Sequence, residues 1–111
     1  MTPRLTSGVR VSALIRRVDA AGGSAAVLAR GDAGAGAVLV LTLERGQATL
    51  WERGFGPDGR PALVATGPAD GDESALTDYW RRRRARDPDL WVIELNVPDA
   101  KRLAAETILG D

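Results

Sequence analysis

The run Ala37-Val38-Leu39-Val40-Leu41-Thr42-Leu43-Glu44-Arg45-Gly46-Gln47-Ala48-Thr49-Leu50-Trp51-Glu52-Arg53 decides the fold. Successive side chains of a strand point to opposite faces, so Leu39, Leu41 and Leu43 share one side and Val38, Val40, Thr42 and Glu44 the other. Arg45-Gly46 predicts a two-residue hairpin. That turn sets Leu41 against Leu50, Thr42 against Thr49 and Val40 against Trp51. Apolar then opposes apolar and hydroxyl opposes hydroxyl, as favourable cross-strand pairing requires.

The flanking segments extend this hairpin in both directions. Val11, Leu14, Ile15 and Val18 recur at helical spacing, with Arg10, Arg16, Arg17 and Asp19 on the other faces. Ser7 as N-cap and Gly22-Gly23 as terminator predict a helix over 8–21. Ala25 to Arg30 reads as a short strand, and Gly31 to Gly36 as a turn. After the hairpin, Gly54 to Pro61 is a loop, Ala62 to Thr66 a strand and Gly67 to Gly71 a second loop. A helix opened by Asp70, Asp72, Glu73 and Ser74 carries Leu76, Tyr79 and Trp80 on one face. Its initial acids and terminal arginines both suit the helix dipole. Asp87-Pro88 ends it. Trp91, Ile93 and Leu95 then alternate with Val92 and Glu94 as a strand, and a last helix spans 99–109 with Gly110 as its cap. The order α-β-β-β-β-α-β-α predicts an α+β fold, with an antiparallel or mixed sheet on a hairpin meander. About three helices are expected to pack on it, covering one face.

At 111 residues the chain suits one domain, 1–111. Fifteen acids balance fifteen bases, so any basic surface is local and a general polyanion binder is not indicated. Histidine and cysteine are absent, which removes most nucleophile–base and transition-metal chemistry. Ser7, Ser12, Ser24 and Ser74 therefore lack an imidazole base, and Lys101, the sole lysine, falls on the predicted solvent side of the last helix. Gly54-Phe55-Gly56-Pro57-Asp58-Gly59 spells a dinucleotide fingerprint but lacks the helix that must follow it, and Pro57 removes a donor. Asp70, Asp72, Glu73 and Asp78 lack the spacing of a calcium loop. No catalytic residue, metal ligand or cofactor is assigned, and the composition points away from an enzyme. The longest apolar run, Ala37 to Leu41, is far short of the ~20 residues of a membrane-crossing helix. No signal-peptide core precedes it, so the expected location is the cytoplasm.

The one sharp electrostatic feature is Trp80-Arg81-Arg82-Arg83-Arg84-Ala85-Arg86. Residues about 100° apart fan round a helix, so these arginines cannot all face one ligand. Arg83 continues the apolar stripe and is expected at the core edge or against a carboxylate such as Glu94. Asp78 stands four residues before Arg82, a favourable helix pairing. The candidate contact surface joins Arg81, Arg82, Arg84 and Arg86 to Asp87, Asp89 and Trp91 at the helix–strand junction. Trp51 and Phe55 are further apolar candidates for a covered face.

Val11-Ser12-Ala13-Leu14-Ile15-Arg16-Arg17-Val18, Ala21-Gly22-Gly23, Gly36-Ala37-Val38-Leu39-Val40 and Arg86-Asp87-Pro88-Asp89-Leu90-Trp91-Val92-Ile93-Glu94 together resemble a family of short bacterial proteins classed as a domain of unknown function. The resemblance covers nearly the whole chain, and Asp-Pro-Asp-Leu-Trp is its most specific part. It implies a small free-standing bacterial protein and brings no catalytic residues with it.

The sequence thus leads to a non-catalytic binding or protein-interaction module acting on a homodimeric or protein partner. An RNA- or phosphate-binding protein using the arginines ranks second, since Tyr79 and Trp80 adjoin them. A carboxylate-dependent hydrolase built on Asp87, Asp89 and Glu94 ranks third.

Overall fold

A computed structural model describes residues 5–69 and 72–110. The elements are α1 (Ser7–Ala20), β1 (Ser24–Ala29), β2 (Val38–Glu44), β3 (Gln47–Phe55), β4 (Pro61–Thr66), α2 (Glu73–Arg86), β5 (Trp91–Asn96) and α3 (Ala100–Ile108), an α+β fold in the expected order. The predicted hairpin forms in the predicted register, with Leu41 opposite Leu50, Thr42 opposite Thr49 and Val40 opposite Trp51. Arg45 and Gly46 both adopt positive φ, 51° and 77°. That is the backbone of a type I′ turn, whose twist matches its strands.

The five strands form one mixed sheet in the order β1-β5-β2-β3-β4. β5 lies between β1, which it meets antiparallel, and β2, which it meets parallel. The central strands are buried on both sides, and this sets the layering. Val38, Val40, Trp91, Ile93 and Leu95 pack with α1 and α3 through Val11, Leu14, Val18, Leu103 and Ile108. Leu39, Leu41, Leu50, Leu90 and Val92 pack with α2 through Leu76 and Trp80. The expectation of helices on a single face is therefore corrected. Uninterrupted apolar runs such as Val38 to Leu41 bury both sides of a strand, so both sides need a cover.

Helix ends follow local chemistry with small shifts. Thr6, not Ser7, caps α1, its hydroxyl accepting from the Val9 N–H. Gly22 takes φ 81° just past the helix, the left-handed residue a terminator needs. Asp72 caps α2 by accepting from the Ala75 N–H at 2.9 Å, while Asp70 lies outside the described residues. Arg10, expected to face away from the core, is buried and donates to carbonyl oxygens of Leu5, Ile108 and Gly110.

Candidate functional site

The residues of the expected contact surface divide into a locked part and a free part. Arg84 is locked: its Nε donates to the Leu90 carbonyl at 3.1 Å and its Nη2 to the Arg30 carbonyl at 2.8 Å. Asp87 builds the turn, its carboxylate accepting from the Asp89 N–H at 3.2 Å. The Asp89 carbonyl accepts from the Asp32 N–H, and the Asp32 carbonyl accepts the Trp91 indole N–H at 2.8 Å. Trp91 is only 4% exposed, which withdraws it from any contact surface. Glycine is required beside this junction. A Cβ on Gly31 or Gly36 would stand 2.1 or 1.9 Å from the Asp89 carbonyl oxygen.

Arg81, Arg82 and Arg86 form the free part. All three are exposed and none joins an ion pair among the described residues, although Arg81 lies over the Trp80 ring at 5.6 Å. Asp78 and Arg82 do not pair. Arg83 meets Glu52, at 3.1 Å, and the Tyr79 hydroxyl, at 3.3 Å, rather than Glu94. Burial by itself would lower the Arg83 pKa; hydrogen bonds to Tyr79 and Glu52 outweigh it and raise the value. The reason lies in the layering: α2 sits over β3, where Glu52 stands, and Glu94 lies one strand beyond β2. Among the described residues no group of three or more Asp or Glu could hold a metal ion.

The sheet edge at β1 is a second exposed feature. Ser24 to Val27 pair regularly with β5, and the register shifts between Val27 and Ala29. Among the described residues the outer side of β1 meets no strand, and Val27 and Leu28 are 44% and 37% exposed. Phe55, at the end of β3, is 73% exposed.

Sequence reasoning passed over one further feature. A cleft of about 950 Å³ opens at the carboxyl ends of β2 and β5, with Thr42, Arg45, Trp51, Asn96, Asp99 and Lys101 among its walls. The Trp51 indole donates to the Thr42 hydroxyl at 3.0 Å, and the Lys101 ammonium lies 4.3 Å from the centre of the Trp51 ring. Three separate stretches of the chain build it, so no local spacing could announce it. The one available signal was an arginine where a type I′ turn favours asparagine or glycine.

The fold and its surfaces define a small α+β domain with a mixed sheet between helix layers. The chain belongs to the DUF1491 family, proteins of unknown function, whose model matches residues 5–105. It is similar to a DUF1491 family protein from Caulobacter crescentus CB15, known from a crystal structure. The two are 34% identical, with 90% of this chain and 94% of that one covered and a TM-score of 0.75. An NMR structure of a DUF1491 family protein from the same source gives 34% identity over 92% of this chain and 94% of that one, with a TM-score of 0.73. Protein Atu0922 from A. tumefaciens is 32% identical over 96% of this chain and 92% of that one, with a TM-score of 0.69. No curated protein matches. Among the described residues, no helix is long and apolar enough to cross a membrane.

Proposed function

We propose that this protein is a non-catalytic interaction module that forms a homodimer by pairing its β1 edges. One observation carries the reading. β1 is a sheet edge of six residues, Ser-Ala-Ala-Val-Leu-Ala, with neither charge nor proline, and with two large apolar side chains in solvent. Edges of this kind are usually blunted by charge, proline or a bulge, because their free N–H and C=O groups template another strand. A register shift does occur here, but only after Val27, and Ser24 to Val27 keep regular pairing. Antiparallel pairing about a two-fold axis would continue the sheet and close the assembly. It would also bring two copies of α1 near each other, where the exposed Arg16 and Asp19, which join no ion pair among the described residues, would meet opposite charge. In this reading the domain acts in a bacterium, as the organisms of its relatives suggest, and works in the cytoplasm.

Light scattering after gel filtration tests it. The expected mass is that of a dimer, falling to a monomer in Val27→Lys and in Leu28→Lys with the thermal melt little changed. A monomeric wild-type protein, or dimers persisting in both variants, would overturn the proposal.

RNA or phosphate binding is supported by the three solvent-facing arginines. It predicts a log–log salt slope of roughly −0.7 to −0.9 for each phosphate neutralised. Binding that survives Arg82→Glu with Arg86→Glu would exclude it. Asp87 is committed to its turn and Glu94 stands on β5, so the hydrolase reading gains no support from the geometry.

A further inference from the structure

The geometry points to a binding site for a small organic anion, carboxylate- or phosphate-bearing, in the cleft between the β2–β3 turn and the start of α3. A volume of about 950 Å³ is within the range of small-molecule sites, ~300–1,000 Å³. The cleft lies outside the carboxyl ends of the parallel pair β2 and β5. There the chain leaving β2 turns into the hairpin and the chain leaving β5 departs for α3. Crevices opened by such diverging connections are where open sheets take ligands.

Its charges select the ligand. Arg45 and Lys101 come from different elements, and neither meets an acid among the described residues. Of the two acids in the lining, Asp99 is engaged by Arg102, 3.2 Å away, which leaves Glu44 alone against the two cations. An oxyanion entering the cleft would accept from the Lys101 ammonium and the Arg45 guanidinium, two charge-assisted contacts. Trp51 holds Lys101 in place through its ring face, and its indole N–H is anchored on Thr42.

The backbone adds an independent reason. Arg45 and Asp99, at φ 51° and 57°, are the non-glycine residues with positive φ among those described, and both line this cleft. A left-handed conformation is strained for a non-glycine residue. Asparagine or glycine would make the same turn more cheaply, so the guanidinium at that position calls for a use.

Two-dimensional amide NMR of the whole chain tests the site, with inorganic phosphate and succinate as probes and choline as a cationic control. Saturable shifts at Arg45, Asn96 and Lys101 are expected with phosphate or succinate and not with choline; the tighter of the two identifies the anion class. The pair Arg45→Gln and Lys101→Gln, checked as folded by the same spectrum, is expected to weaken binding by about tenfold or more. The single change Lys101→Gln serves if the turn is disturbed. Three results would overturn the site: no saturable shift with either anion, equal shifts at Arg82 and Arg86, or variant binding as tight as wild type.

Discussion

The guanidinium of Arg10 lies 2.6 Å from the carbonyl oxygen of Ile108, joining two residues 98 positions apart. The same nitrogen also donates to the Gly110 carbonyl, and Nε to the Leu5 carbonyl at 3.3 Å. A buried cation thus closes the carboxyl end of α3, where the helix dipole favours it. Arg10→Met leaves those carbonyls unpaired and is expected to cost about 2–4 kcal/mol in urea unfolding. Arg16→Met, on the exposed face, should stay within about 0.5 kcal/mol of wild type. Equal stability of the two variants would deny Arg10 its capping part.

Two tryptophans are expected to respond differently to the same change. The Trp80 indole N–H is buried without an acceptor among the described residues, whereas that of Trp91 donates to Asp32. Phenylalanine removes an unsatisfied donor at the first site and a formed bond at the second. Trp91→Phe should therefore cost more than Trp80→Phe by about 1–2 kcal/mol, read from denaturant midpoints. The reverse order would mean that Trp80 has an acceptor.

Within the arginine run, Arg84→Ala should destabilise by about 1–2 kcal/mol, since it loses bonds to two carbonyls. Arg82 is exposed and joins no ion pair among the described residues, so Arg82→Ala should change stability by less than about 0.5 kcal/mol. Thermal melts of the two variants distinguish a structural arginine from a solvated one.

Acid should weaken the tie between α1 and α3. The hydrogen bond from Arg17 lowers the Glu106 pKa below its ordinary 4.5, with the charges of Arg102 and Arg17 adding to it and desolvation opposing. A carboxylate favoured in the folded state contributes its full stabilisation above the unfolded pKa and loses it as pH falls through the lowered folded value. Urea midpoints of wild type and Arg17→Met should thus differ near neutrality and converge in acid. A gap that stays constant with pH would contradict this.

The hairpin was legible to the residue because turn type and side-chain alternation act within seventeen consecutive positions, Ala37 to Arg53. Helix limits were legible to within one or two residues for the same reason, since caps are local chemistry. Neither the partner of β5 nor the partner of Arg83 could be read this way. Val40 and Ile93 are neighbours in the sheet, yet nothing in either segment encodes the other. A two-faced cover was, however, available from the apolar runs around Val38 and Trp91. Lys101 shows the remaining gap: helical periodicity sets it on the outer face, and only the fold reveals that Trp51 lies beneath it.

β5 is wedged between β1 and β2, two strands that are consecutive in the chain and never touch as partners. During synthesis, β1 and β2 leave the ribosome with no partner for β1 and only the hairpin for β2. More than sixty residues separate Ala29 from Trp91. The nascent chain must hold Val38 to Leu41 out of misplaced contacts until Trp91 to Asn96 arrive. The sheet can close only when that late strand enters between β1 and β2.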